Sequence, residues 1–97
     1  MTSTQTHHPL VTPAEAQALE DVLGYTKAGR WMMSIHAKGQ ARKRGAKWED
    51  VYCALASAMT CKDQGDGTWM VPSRDAVGDD LTVIVAFQDG VLVVTLF

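Results

Sequence analysis

The stretch LTVIVAFQDGVLVVTLF, residues 81–97, decides the fold. Two runs rich in β-branched and large apolar residues flank Asp89-Gly90, and an Asp-Gly pair between such runs indicates a two-residue hairpin turn. We therefore predict antiparallel strands at about 80–88 and 91–97. With this turn the apolar face of the hairpin pairs Phe87 with Leu92, Val85 with Val94 and Val83 with Leu96.

Turn signals upstream of the hairpin divide the preceding chain into two further extended segments. Gly65, Asp66-Gly67 and Gly78 bound predicted strands at about 60–63 and 68–74. The four segments follow one another with short connections, which favours an antiparallel meander.

Helical signals occupy the first sixty residues. Thr12-Pro13-Ala14-Glu15 is a capping box that predicts a helix over about 12–26. Ser34 can cap a second helix over 35–44, which Gly45 would end in a left-handed conformation. A third helix is predicted over about 47–58, with Trp48, Val51, Tyr52 and Leu55 as its buried stripe.

These elements predict an α+β fold in which three helices pack on one face of a four-stranded antiparallel sheet. The length of 97 residues is typical of one domain, which we place at 12–97 after a flexible leader at 1–11. The last strand ends the chain, so we expect it at a sheet edge. Because it is long and uncharged, we expect a homodimer formed through that edge.

Composition narrows the class of protein. An apolar fraction of 46% with 21% charged residues indicates a globular domain, and polar residues at 88–90 interrupt the apolar C-terminus, so we expect no membrane span. Cys53 and Cys61 lack CxxC spacing, which favours reduced thiols and a cytoplasmic location. His7 and His8 have no further ligands nearby, so we expect neither a metal nor a cofactor.

Positive charge is concentrated in one part of the chain. Between Asp21 and Glu49 there is no carboxylate, although the formal net charge is -2. A local field of one sign attracts phosphate, which makes RNA the expected partner. The alternatives are a solvated helix face, or a patch that meets aspartates elsewhere in the chain. Seven of the nine basic residues lie in this segment: Lys27, Arg30, Lys38, Arg42, Lys43, Arg44 and Lys47.

His36 adds a group that titrates near neutral pH. Metal-independent RNA cleavage needs proton transfer and positive charge around the transferring phosphate, so His36 could act as base or acid while Arg44 and Arg74 stabilise charge. Tyr52 and Asp75 are more remote candidates for the same site. RNA binding is assigned to Lys38, Arg42, Lys43 and Lys47. The competing interpretation is that His36 is only structural.

The run SIHAKGQARKRGAKWEDV, residues 34–51, resembles the signature S-x-H-A-x-x-R-M-x-x-R-G-I-x-x-E-D-V of a bacterial family catalogued as domain of unknown function 4258. The tail from residue 66 is similar to that family's closing sheet, so the resemblance covers about 30–97. Gln40 stands where the pattern has arginine, which removes one expected cation. Ala41 and Ala46 replace larger apolar residues.

The family looks related to the RelE-like ribonuclease toxins. This resemblance implies helices on one face of a small antiparallel sheet, RNA approaching the other face, and a cognate antitoxin as a protein partner. A rival hypothesis is a non-catalytic protein-interaction module, either a degenerate relative or a phage-style accessory protein. That module would use the exposed sheet, with Trp31, Trp69 and Met70 as contact residues.

Overall fold

The computed structural model describes residues 11–97, in which three helices pack against a five-stranded mixed sheet. The predicted leader lies outside the described residues except for Val11, which is exposed. The α+β class is confirmed. In chain order the elements are α1 Pro13–Lys27, β1 Trp31–Met33, α2 Ile35–Arg44, α3 Trp48–Ala56, β2 Lys62–Asp63, β3 Trp69–Arg74, β4 Asp80–Phe87 and β5 Val91–Leu96.

The sheet contains one strand more than the sequence predicts. Its order is β1-β5-β4-β3-β2, so the predicted antiparallel meander is present from β2 to β5. The additional strand β1 pairs in parallel with β5, which makes the sheet mixed. Three residues are too few to show a period of two, and their pairing partner lies about sixty residues later in the chain, so local patterning gave no signal for β1.

The position of β1 corrects the expectation for the C-terminal strand. β5 lies between β1 and β4 and is therefore not an edge strand. The basis for a homodimer through this strand is removed, because backbone groups on both sides of β5 are already paired within the chain.

The register of the β4–β5 hairpin also differs from the prediction. Phe87 pairs with Val91 across a loop of residues 88–90, whereas Val83 pairs with Leu96 as expected. The extra residue of the longer loop turns Val91 and Val93 into the core in place of Leu92 and Val94. A bulge in the β4–β5 pairing then restores the inward direction of Leu96, because an unpaired residue shifts the alternation of faces.

A close backbone approach fixes the hairpin loop against β1. Gly90 has φ 144°, and a Cβ at this position would lie 2.5 Å from the carbonyl oxygen of Arg30. That carbonyl accepts a hydrogen bond from the Val91 N–H at 2.9 Å, and the Arg30 guanidinium donates to the Asp89 carbonyl at 2.6 Å. Glycine is required here both by φ and by space.

Ser34 secures the other end of the β1–β5 pair. Its backbone N–H donates to the Val93 carbonyl at 2.9 Å and its hydroxyl donates to the Val94 carbonyl at 2.8 Å. The same hydroxyl oxygen accepts from the Ala37 N–H at 3.0 Å, so Ser34 is also the predicted N-cap of α2. One side chain therefore joins the bulged strand to the start of the helix.

The three helices cover one face of the sheet. Ala18 and Val22 of α1, Ala37 and Ala41 of α2, and Leu55 of α3 are buried in one core with the inward residues of β3, β4 and β5. The Thr12–Glu15 capping box and the left-handed Gly45 are present as predicted. Within residues 11–97, no helix has the length and apolar character needed to cross a membrane.

Replacing Gly90 with alanine tests the Arg30 contact. The methyl group would overlap the Arg30 carbonyl and would hold a strained φ, so we expect Gly90→Ala to lower the free energy of unfolding by about 2–4 kcal/mol in urea denaturation. Gly39→Ala is the matched control, because Gly39 lies within α2 with no atom within 4 Å of its Cβ position. That control should be neutral or stabilising. Equal stability of the two variants would contradict this account of the loop.

Replacing Ser34 with alanine tests the second attachment. The variant loses the N-cap of α2 and a hydrogen bond to the bulge, so we expect a loss of about 1–2 kcal/mol in the same denaturation assay. Ser57→Ala is the control, since its hydroxyl bonds the Cys53 carbonyl one turn earlier and, at 3.4 Å, the Ser73 hydroxyl, but makes no hydrogen bond with the β1–β5 pair. A cost for Ser34→Ala no larger than for Ser57→Ala would show that Ser34 does not join the two elements.

Candidate nucleic-acid interface

Helix α2 presents its basic side chains to solvent because its small residues face the sheet. Ala37 and Ala41 are buried against the core, and every basic residue from Lys27 to Lys47 is exposed. In a helix, residues four apart are neighbours, so His36, Gln40 and Arg44 form one row. Lys38 and Arg42 form a second row on the opposite flank. Gln40, which stands where the resembled pattern has arginine, thus lies between His36 and Arg44.

Most of this charge forms no ion pair among residues 11–97. Among the described residues only Arg74 and Asp80 form an ion pair, with an N···O distance of 3.3 Å. Arg30 and Arg44 do contact aspartates, but through the backbone carbonyls of Asp89 and Asp80. The basic segment thus meets the chain's own acids at its C-terminal end, where Arg44 and Lys47 line a cavity with Glu49, Asp50, Asp75 and Asp79. Lys38, Arg42 and Lys43 form no ion pair within residues 11–97.

Arg44 and Arg74, the two predicted charge stabilisers, come together at the start of β4. The Arg44 Nη2 donates to the Asp80 carbonyl at 2.9 Å, and the Arg74 Nη1 donates to the Gly78 carbonyl at 2.9 Å. Arg74 also pairs with the Asp80 carboxylate, but both side chains are highly exposed, so this pair contributes little stability. A phosphate could replace that carboxylate as the partner of Arg74 at small cost.

His36 does not join this arginine pair. It lies in the first turn of α2, eight residues before Arg44, which corresponds to about 12 Å along the helix axis. The imidazole is exposed and makes no hydrogen bond within residues 11–97. His36 and the arginines could therefore contact successive phosphates of one strand, but they do not surround a single phosphate in this structure.

The two remote candidates have other partners. The Asp75 carboxylate accepts the N–H groups of Val77 and Asp79 at 3.0 and 2.9 Å, which organises the β3–β4 turn. Tyr52 lies in an aromatic group with Trp31 and Trp48. His36 is not among these contacts of Asp75 and Tyr52.

Asp50, an acidic residue just after the basic segment, has a structural role. Its carboxylate accepts the N–H groups of Lys47 at 2.9 Å and Ala76 at 3.1 Å, so it caps α3 and holds the β3–β4 turn. These hydrogen bonds, in that order, lower the pKa of Asp50 below its ordinary value. Its place in the E-D-V part of the motif therefore has a structural explanation.

The sequence prediction was wrong about the burial of two aromatic residues of α3. Trp48 and Tyr52 were expected in the buried stripe of α3, yet they are 59% and 39% exposed. Each lies with its ring centroid 6.3 Å from that of Trp31. The 48–52 spacing could have indicated this, because two aromatic residues four apart share one face of a helix whose first turn is exposed.

The open face of the sheet is mainly apolar. Its outward side chains include Met32, Met70, Ile84, Ala86, Leu92 and Val94, with the polar Thr82 and Thr95 among them. The resemblance implies RNA on this face, but the unpaired positive charge lies on the helical side. Trp31 and Trp69 pack against the core and only Met70 faces outward, so the three residues of the interaction-module hypothesis do not form one surface.

The cysteines do not offer a nucleophile at this surface. Cys61 is buried, and desolvation, together with nearby Glu15 and Asp63, raises the pKa of its thiol to about 11. Cys53 is half-buried in α3, and both cysteines are free thiols. A thiolate is the reactive form, so Cys61 is inert at neutral pH.

Metal binding finds no support in the part of the chain that the structure describes, where no three His, Cys, Asp or Glu side chains cluster. His7 and His8 lie outside the described residues. The predicted site thus divides into a row along α2 that begins at His36, an arginine pair at Asp80, and an exposed aromatic group.

No family model matches the chain, and neither a curated protein nor a solved structure shows significant similarity to it.

Proposed function

We propose that this protein binds RNA through the exposed basic residues of α2 and of the loop that joins it to α3. The observation that carries the proposal is the group of exposed cations Lys38, Arg42 and Lys43, which form no ion pair among residues 11–97. Lys38, Arg42, Lys43 and Lys47 supply the phosphate contacts.

Electrostatics favours a polyanion over a neutral partner. At physiological ionic strength a charge is felt over about 8 Å, so the cations of one short helix act on the same ligand while the acids on distant parts of the surface are screened. An RNA strand carries phosphates at regular intervals, so several of them can lie along α2. The RNA releases counter-ions when the protein's cations neutralise these phosphates.

The proposal extends to toxin-like, metal-independent cleavage of the bound RNA in the cytoplasm. His36 supplies the imidazole of α2, a side chain that can act as general acid or base, and Arg44 with Arg74 can stabilise charge on the phosphate. Because His36 and Arg44 are about 12 Å apart along one helix, the reacting phosphate would have to lie between their side chains. An acidic segment of a cognate antitoxin would fit the same basic surface and would compete with RNA.

The rival function, a non-catalytic interaction module, draws support from the apolar open face of the sheet. Met32 is 61% exposed at the edge of that face. Of the contacts predicted for this module, Met70 faces outward, but Trp31 and Trp69 lie on the helical side, so the basic surface supports the RNA hypothesis better. Absence of RNA binding by the wild-type protein would favour this rival.

Removing the unpaired cations tests RNA binding. The side chains of Arg42, Lys43 and Lys47 make no hydrogen bond within residues 11–97, so replacing all three with serine should leave the fold intact. We expect weaker binding of single-stranded RNA and a shallower salt dependence, with the slope reduced by about 0.7 for each lost phosphate contact. Affinity is measured by fluorescence anisotropy over a salt series.

Lys62→Ser is the control for a change of charge alone, because Lys62 lies in β2 at the far edge of the sheet from β1. It should keep the wild-type slope, whereas Lys43→Ser should not. An unchanged slope in the triple variant, or wild-type affinity that does not respond to salt, would refute RNA binding through this surface.

Replacing His36 tests the catalytic part of the proposal. His36→Ala should keep nearly wild-type RNA affinity and lose cleavage by roughly 10²–10⁴-fold, because proton transfer acts on the transition state. Cleavage of a labelled RNA in the presence of EDTA gives the rate. Lys38→Ala is the comparison, since it removes a phosphate contact and keeps the imidazole: it should weaken RNA binding but keep the cleavage rate of fully bound RNA. Cleavage that needs a metal, or that persists in His36→Ala, would exclude this mechanism.

A further inference from the structure

We propose that Trp31, Trp48 and Tyr52 form a platform on which bases of the bound RNA stack. This inference rests on the proposed RNA binding and adds the part of the ligand that phosphate contacts do not explain. It assigns single-stranded RNA as the ligand, because unstacked bases are available only there.

Two of the three aromatic side chains are exposed to solvent. Trp48 is 59% exposed and Tyr52 is 39% exposed, although Val51, Ala54 and Leu55 of the same helix are fully buried. α3 therefore has a core face that is complete without its aromatic residues. Large apolar side chains grouped on a surface commonly mark a binding site.

The arrangement of the rings also supports a platform. The three centroids are mutually 6.3 Å apart, and the interplanar angles are 33° between Trp31 and Trp48, 39° between Trp31 and Tyr52, and 66° between Trp48 and Tyr52. The rings support one another in tilted and edge contacts. Side chains held in this way lose little freedom when a base stacks on them, which favours binding.

The basic residues beside the rings favour RNA as the ligand. Lys47 precedes Trp48, and only Gly45, Ala46 and Lys47 separate the basic last turn of α2 from Trp48. The Arg30 guanidinium, although next to Trp31 in sequence, is bonded to the Asp89 carbonyl instead. Glu49 and Asp50 are the adjacent acids; Glu49 is about 100° around the helix from Trp48, and the Asp50 carboxylate turns back to the Lys47 N–H. Aromatic rings beside unpaired cations match a strand whose bases and phosphates alternate. A protein hot spot would also use Trp and Tyr, so a protein is the competing occupant.

The test compares two ligands of equal length and charge. A short single-stranded oligouridylate carries bases, and an abasic ribose-phosphate chain does not. We expect the wild-type protein to bind the base-bearing chain more tightly, and Trp48→Ala to lose roughly 5–150-fold in affinity for it with an unchanged salt slope. Both proteins should bind the abasic chain equally. Trp48→Phe should recover part of the affinity, because it restores an aromatic face.

Tryptophan fluorescence provides a second readout. RNA should quench emission in the wild-type protein and in Trp69→Phe, because Trp69 packs on Phe87 away from the group. Quenching should fall in Trp48→Phe. Salt-sensitive RNA binding with equal affinity for both ligands, and no effect of Trp48→Ala, would overturn the stacking platform while leaving RNA binding in place. A wild-type protein that binds neither ligand would overturn both proposals.

Discussion

Parallel pairing of β1 with β5 is the interaction on which the rest of the structure depends. It brings residues 31–33 beside the C-terminal strand and is held at both ends, by the approach of Gly90 to Arg30 and by the bonds from Ser34 to Val93 and Val94. Parallel strands need a long crossover connection. Here that connection contains α2, α3 and the strands β2 to β4, so most of the chain is positioned by one short pairing.

The pairing also determines where the basic segment lies. α2 begins immediately after β1, and Ser34 orients its first turn by capping it from the bulge of β5. Ala37 and Ala41 then pack on the core, which leaves every longer polar residue of α2 at the surface. The motif therefore combines two roles. Ser34, Ala37, Gly45 and Asp50 build the fold, whereas His36 and the basic residues between them are free to contact a ligand.

Charge and aromatic surface meet at the junction of α2 and α3. Lys38, Arg42 and Lys43 of α2 form no ion pair within the described residues, whereas Arg44 lies near Asp50. The first residue of α3 is an exposed tryptophan that contacts Trp31 and Tyr52. Phosphate contacts alone carry no preference for single strands, but stacking on aromatic side chains does. These two neighbouring features are the basis of the proposed RNA-binding surface.

The sequence by itself determined the elements whose signals are local. The Thr12–Glu15 capping box, the Ser34 cap and the meander after residue 60 are all present, because caps and turns depend on neighbouring residues. Tertiary structure alone decided the strand β1, the three-residue hairpin loop and the exposure of Trp48. Each depends on a contact between residues far apart in the chain: Arg30 against Gly90, Ser34 against Val94, and Trp31 against Trp48. A hydrophobic period shows that a residue can be buried, but only the packing of the other elements decides whether it is.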